Sequence, residues 1–250
     1  PEIRRYNTGE TVREQLAIPL QDSDRTQLEV RFGAGELIIQ PGAEGNLAEL
    51  DASYNVTELK PAYRLSGDRI ILQAGADEVW FDDLPNFTEE LVNTWKLRLA
   101  DVPMELEINA GATNSQIELG GLSLQKLIVN QGASDFKLSF SEPNQVEMSL
   151  FEYNGGASNS SLSGLGNANL QEFIFKGGAG DFTLDFSGDF AGTMDVRIDA
   201  GFGKVTIIVP SGVAAEVSLD RALTDVDLQG NWQGSGGSYS QNGEQGKITF

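Results

Sequence analysis

The stretch Gly177-Gly178-Ala179-Gly180-Asp181-Phe182-Thr183-Leu184-Asp185-Phe186 decides the fold class. Phe182, Leu184 and Phe186 alternate with Asp181, Thr183 and Asp185, the period of a strand with one buried and one wet face. The glycines just before them mark a sharp change of direction, where a chain needs positive φ or room at the backbone. The same unit returns as Gly111-Ala112-Thr113, Gly132-Ala133-Ser134, Gly156-Ala157-Ser158 and Gly201-Phe202-Gly203. Its first glycines stand 21 to 24 residues apart. A period in the low twenties with strand content in every unit signals a stacked β architecture. An earlier copy, Gly33-Ala34-Gly35, follows Leu28, Val30 and Phe32 and lies 78 residues ahead of Gly111.

The expected fold is therefore all-β, a single-chain β-solenoid of eight to ten two-stranded rungs, right-handed because parallel crossovers nearly always are. Inward faces are read at Leu97 and Leu99, Leu106 and Ile108, Ile117 and Leu119, and at Phe136, Leu138 and Phe140. Phe173 and Phe175, Met194, Val196 and Ile198, and Val205, Ile207 and Val209 continue the series. Residues 1–26 are read as an N-terminal cap or linker and 27–210 as the repeat domain, with an irregular insertion at about 76–95. Residues 211–250 are read as C-terminal strands and a cap with a Gly/Ser loop. Solenoid ends expose unpaired backbone and need such caps. A last strand, Ile248 to Phe250, left uncovered, would let copies associate rung to rung.

Composition narrows the function classes. The formal charge is −20, from 37 acidic and 17 basic residues, so a nucleic acid is excluded as partner and anionic membrane surfaces are disfavoured. Cysteine and histidine are both absent, which removes disulfides, thiolate nucleophiles, sulfur metal sites and the commonest general base. No run approaches the ~20 apolar residues of a membrane-spanning helix. The chain opens on Pro1, so a processed or trimmed N-terminus is expected, with any signal peptide or anchor ahead of it.

Several strings carry a family likeness: Leu28-Glu29-Val30-Arg31-Phe32-Gly33-Ala34-Gly35, Thr94-Trp95-Lys96-Leu97, Met104-Glu105-Leu106-Glu107-Ile108-Asn109-Ala110-Gly111, Gly177-Gly178-Ala179-Gly180-Asp181 and Val205-Thr206-Ile207-Ile208-Val209-Pro210. Over roughly 27–215 the chain resembles the toast-rack domain, related to the C-terminal half of LiaF-like cell-wall-active antibiotic response proteins and to putative-adhesin repeat domains. The resemblance implies an all-β, solenoid-like domain facing the outside of the membrane. It also implies a regulatory role in envelope stress, without a catalytic residue set.

Candidate chemistry is weighed on the residues themselves. The Gly-x-Gly pairs lack the third glycine and following helix of a dinucleotide loop and are read as corners. Gly177 to Phe182 resembles a calcium nonapeptide with its aspartate one place early, so no metal is expected. Outward acids Glu105, Glu118, Asp135, Asp185 and Asp195 would serve a glycosidase only if two faced each other at roughly 5–9.5 Å. They are read as the surface of an acidic solenoid. No catalytic residue and no cofactor is expected, and the protein is not expected to be an enzyme. Aromatics are the better candidates for partner binding: Trp80, Phe81 and Phe87 in the acidic insertion, Trp232 and Tyr239 flanking the Gly/Ser loop. The function expected is a non-enzymatic, extracytoplasmic interaction domain in envelope-stress sensing or regulation. It would meet a protein, or a glycan, at the membrane or cell surface, with self-association as a further possibility. A cell-surface adhesin or scaffold is the alternative, and a β-helix carbohydrate-active enzyme the second.

Overall fold

The structure, a computed structural model, describes residues 5–21, 26–74, 86–87, 90–219 and 227–250. The strands are β1 (Arg5–Tyr6), β2 (Val12–Pro19), β3 (Thr26–Pro41), β4 (Asn46–Tyr54), β5 (Pro61–Ser66) and β6 (Arg69–Ala74). Next come β7 (Asn86–Phe87), β8 (Asn93–Leu99), β9 (Met104–Glu118), β10 (Leu124–Gln131), β11 (Ser134–Ser139) and β12 (Met148–Ser163). The remainder are β13 (Leu170–Asp185), β14 (Thr193–Ile208), β15 (Ala214–Ser218), β16 (Gln233–Ser235), β17 (Ser238–Gln241) and β18 (Lys247–Thr249). Two short 3-10 turns, Thr57–Leu59 and Leu165–Ala168, are the only helical segments among the described residues. The fold is all-β.

The centre is a parallel, in-register stack running β3, β9, β10 with β11, β12, β13 and β14. Contrary to the expected two strands per rung, β9, β12, β13 and β14 each run unbroken through the glycine corner. Only at Gly132-Ala133 does the rung divide, into β10 and β11. The stack is also shorter than the expected eight to ten rungs. Beyond β3, the short strands β6 and β8 pair with its first and second halves, and beyond β14, among the described residues, only β18 follows in parallel on β14 itself.

The corners explain the glycine period. A Cβ added at Gly111 would sit 2.2 Å from the Gly33 carbonyl oxygen, and one at Gly178 would sit 2.5 Å from that of Gly156. Each corner rests on the one before it, closer than any side chain allows. The glycine therefore provides room, and φ is not positive at these positions. Gly33 and Gly111, 78 residues apart in sequence, are direct neighbours because the chain from β4 to β8 leaves the stack and returns on the far side of β3.

Inside the rungs the alternating residues form one core. Leu106, Ile108, Phe136, Leu138, Phe140, Phe173, Phe175, Phe182, Leu184 and Met194 are all buried. Aromatic rings repeat from rung to rung: Phe151 lies 4.9 Å from Phe173, and Tyr153 stacks on Phe175 at 4.8 Å. Parallel in-register pairing produces this, since it sets each inward residue above its counterpart about 4.7–4.9 Å away. Polar residues form ladders on the outer face by the same rule. Asn130 Nδ2 donates to Asn109 Oδ1 at 2.8 Å, and Asn154 Nδ2 to Asn130 Oδ1 at 2.8 Å. On the side of the rungs without strands, Asn144 Nδ2 donates to the Leu124 carbonyl and Asn167 Nδ2 to that of Phe140.

The core is not uniformly apolar. Gln131 Nε2 donates to Tyr153 Oη at 2.5 Å and to Ser158 Oγ at 2.7 Å, and Tyr153 Oη meets Ser160 Oγ at 2.5 Å. Burial pushes the Tyr153 phenol up, against hydrogen bonds from Ser160, Ser158 and Gln131 that pull it down. The mutual bonding satisfies groups whose burial alone would cost several kcal/mol each (about 1–3 in proteins).

Both ends carry antiparallel strands. At the N-terminal end β2 pairs with β4 and β4 with β8, while β5 and β6 form a hairpin around Gly67-Asp68. At the C-terminal end β15 pairs with β17, and β17 with β16. The last strand is not the uncovered edge expected from the sequence. β18 lies between β14 and β15, paired in parallel with both, and Ile248 is fully buried. Among the described residues no strand covers the second half of β14 on that side. Of the expected insertion at 76–95, Asn93, Thr94 and Trp95 belong to β8, while 75–85 and 88–89 lie outside the described residues.

Candidate functional site

The aromatic residues singled out in the sequence do not form one patch. Trp80 and Phe81 lie outside the described residues. Phe87 is in β7, which pairs in parallel with β1 in a two-stranded sheet separate from the main one. Trp232 is half-buried just before β16. Tyr239, in β17, is half-buried and stands at the centre of a constructed surface feature.

That feature is an open hollow of about 400 Å³ at the C-terminal end of the stack. β15 contributes Glu216 and Ser218, β16 Gln233, β17 Ser238, Tyr239 and Ser240, and the chain end Thr249 and Phe250. Trp232 is not in its lining. The strand pairing explains the convergence. Val217 lies opposite Tyr239, and Tyr239 opposite Gly234, so β17 is flanked on both sides. Gly234, at φ +121°, has its Cα so close to the Ser238 carbonyl that an added Cβ would lie 2.2 Å away. The tight β16–β17 hairpin through Gly236-Gly237 depends on that approach. Phe250 anchors the floor, its ring 5.2 Å from the buried Phe186. Lys247 and Glu216 form an exposed ion pair at 2.9 Å across β18 and β15. The lining is two aromatic rings, Tyr239 and Phe250, one carboxylate, the Gln233 amide and several hydroxyl groups, suited to hydrogen bonding around a flat apolar contact.

The acids weighed as a glycosidase pair do not converge. Glu105 is the register partner of Lys126 and accepts from Gln27 Nε2 at 3.3 Å. Asp135 lies between Asn114 and Asn159. Asp185 accepts the backbone N–H of Ser187 at 2.9 Å. Asp195 is the register neighbour of Glu172, on rungs far from Glu105. Among the described residues no group of three or more acids is arranged to hold a metal ion.

Glu118 holds backbone in place. It accepts the N–H of Gly120 at 2.7 Å and of Ser141 at 2.9 Å, the Ser141 hydroxyl at 3.1 Å, and the Ser139 hydroxyl. Burial raises its pKa, but the Ser139, Ser141 and Gly120 hydrogen bonds outweigh burial and the carboxyl is held below its ordinary value. A depressed carboxyl contributes stability above its unfolded pKa, about 4.3 for glutamate, and loses it as pH falls through the lower folded value. Glu118→Ala is expected to cost about 1–3 kcal/mol at pH 7 from the unmade charged hydrogen bonds. Urea unfolding should show the gap to the parent closing as the pH is lowered from neutral to below that range.

With this geometry in view, comparison with known proteins places the chain. A family model described as the N-terminal domain of toast_rack, DUF2154, matches residues 7–151 and 143–208. The chain belongs to this family. The match runs from β2 through β14, so this toast-rack chain carries its family signature across the whole parallel stack, while β15 to β18 and the Tyr239 hollow lie beyond it. A solved structure of a "putative cell adhesion protein" from Clostridium sporogenes is 18% identical, with a TM-score of 0.56, covering 79% of this chain and 99% of that one. That likeness is one of fold. A "putative adhesin" from Bacteroides fragilis is 8% identical with a TM-score of 0.35, covering 81% and 99%, too distant to argue from. No curated protein matches the chain. Among the described residues no helix is long and apolar enough to cross a membrane.

Proposed function

We propose that this toast-rack domain acts by binding and not by catalysis, on the outer side of the cell membrane, as an interaction module in envelope-stress sensing or regulation. Its partner is a protein at the membrane or cell surface. The observation that carries this reading is the hollow around Tyr239. Tyrosine beside a well-defined rim is a common anchor of protein interfaces, and this one sits on a sheet extension that the rigid stack holds out at one end. The solved adhesion-related fold relative supports a surface role.

Affinity capture from solubilised membranes of the native host, with and without cell-wall stress, tests the reading. The parent domain is expected to recover a membrane protein, and Tyr239→Ala to reduce that recovery at least tenfold, the effect of losing a hot-spot aromatic worth about 2 kcal/mol. Trp232→Ala, outside the hollow, is expected to leave recovery unchanged. Equal recovery by parent and Tyr239→Ala would sink the assignment of this surface.

A second reading, a cell-surface adhesin that binds glycan, is favoured by the lining itself. Ser218, Gln233, Ser238, Ser240 and Thr249 around the Tyr239 and Phe250 rings offer the hydrogen-bonding groups that sugar hydroxyls need. Retention of wall or surface polysaccharide by the parent and not by Tyr239→Ala, with no protein recovered, would select it.

A further inference from the structure

We infer that Asn242 is a site of spontaneous covalent modification, where the backbone nitrogen of Gly243 displaces the side-chain amide, and that the parallel stack keeps the chain's other Asn-Gly pair inert.

The sequence holds two Asn-Gly dipeptides, Asn154-Gly155 and Asn242-Gly243. Such a pair reacts slowly in water, because the glycine nitrogen can reach the asparagine Cγ and no Cβ hinders its approach. The N–Cγ bond forms and the Cγ–Nδ2 bond breaks. Ammonia leaves, carrying the proton of the glycine N–H, and a cyclic imide remains. Water then opens the imide at either carbonyl. Opening at Cγ yields aspartate. Opening at the backbone carbonyl yields isoaspartate, whose main chain runs through Cβ and Cγ and is one atom longer. Ring closure requires the Asn–Gly peptide to turn until the glycine nitrogen eclipses the asparagine Cβ. An extended strand does not allow that turn.

At Asn154 the stack holds the peptide extended. β12 is paired on both sides there, Asn154 with Asn130 and Lys176, and Gly155 with Gln131 and Gly177. Asn154 Nδ2 also donates to Asn130 Oδ1 at 2.8 Å. Reaction would have to separate β12 from both β10 and β13. Opening strands in the core draws on most of the global stability.

Asn242 stands in the opposite setting. It is exposed and lies one residue beyond β17, in the loop that leads to β18. Among the described residues its side chain makes no hydrogen bond, and the Gly243 N–H has no acceptor. The residues on either side are anchored. Gln241 Nε2 donates to the Pro210 and Val213 carbonyls at 2.8 and 2.9 Å. The Glu244 and Gln245 N–H groups both donate to the Gly212 carbonyl, at 2.9 and 3.0 Å. The Asn242–Gly243 peptide can therefore rotate as a plane between its two Cα atoms and disturb neither anchor. That motion changes ψ of Asn242 and φ of Gly243 together, which glycine accepts. The glycine is itself required, since an added Cβ would lie 2.4 Å from the Gly212 carbonyl oxygen. The reactive pair thus forms part of the contact that ties β17 and β18 to the turn before β15. The extra main-chain atom of isoaspartate pushes Gly243 off Gly212, so the product loosens this end of the fold and leaves the stack intact.

The full chain held for days at pH 9, folded and in urea, then digested and read by mass spectrometry, tests the inference. In urea both asparagines should convert, which shows that the chemistry is running. In the folded chain Asn242 should convert to aspartate and isoaspartate at least tenfold faster than Asn154, whose reaction waits on opening of the core. Hydrogen exchange of the aged folded chain should quicken over 212–218 and 238–245 and stay unchanged from β9 through β13. Asn242→Gln, whose longer side chain closes a six-membered ring far more slowly, should exchange after ageing as the fresh chain does. A folded chain in which Asn242 is as resistant as Asn154 overturns the inference, as does equal conversion at both sites. Loosening that appears to the same extent in Asn242→Gln overturns it as well.

Discussion

Gly180→Ala is expected to destabilise the domain by about 3–5 kcal/mol, combining a strained φ with an overpacked contact. Gly180 has φ +149°, and a Cβ there would lie 1.8 Å from the Ser158 carbonyl oxygen. That oxygen belongs to the adjacent rung, so relieving the clash means separating β12 from β13 at the corner. The same column holds Thr113, Ser134 and Ser158 in the central rungs, where the backbone has ordinary φ; the Ser134 hydroxyl donates to Gln131, Ser158 accepts from Gln131, and the Thr113 hydroxyl meets that of Ser115. Gly236→Ala is the control. Its φ is +68°, but open space surrounds it, so only the backbone term of about 1–2 kcal/mol applies. Urea unfolding of both variants at pH 7 measures the difference. Equal losses would show that positive φ, and not the contact with the neighbouring rung, dominates.

Phe173→Ala should cost about 3–5 kcal/mol through the cavity it leaves. Its ring is fully buried and lies 4.9 Å from Phe151, 6.3 Å from Phe175 and 6.1 Å from Phe186, so the cavity would open between the β12 and β13 rungs. Phe202→Ala, at a ring 86% exposed, should change stability by less than about 0.5 kcal/mol, as for other exposed positions. Thermal and urea unfolding together separate the two phenylalanines. A small loss for Phe173→Ala would mean that the aromatic column can collapse into the gap, contrary to the close packing of a rigid parallel stack.

Local chemistry made much of this legible. Alternation at Phe136, Leu138 and Phe140 and at Phe173 and Phe175 marked the inward faces correctly, because a strand puts every second side chain on one side whatever it pairs with. Tyr239 was visible as an exposed-loop aromatic, but the hollow around it was not. Glu216, Gln233 and Phe250 are far apart in sequence and meet only through the antiparallel pairing of β15, β16 and β17. Nothing in the sequence marks Gln131, Tyr153, Ser158 and Ser160 as partners, yet they bond to one another inside the core. No spacing rule signals this, since each partner comes from a different rung or from across a corner.

By itself, the sequence determined that the chain is a stack of β rungs, which faces turn inward, and where the corners fall. Each of these follows from a residue's own geometry: the alternation of a strand, or the absence of a Cβ. The tertiary structure alone decided that β3 rests on β9 across 78 residues, that β18 is wedged between β14 and β15, and that no described strand covers the second half of β14 on its β18 side. A strand's backbone donors and acceptors are the same whatever its sequence. Which strand satisfies them is therefore settled by competition among all the segments that can reach that edge.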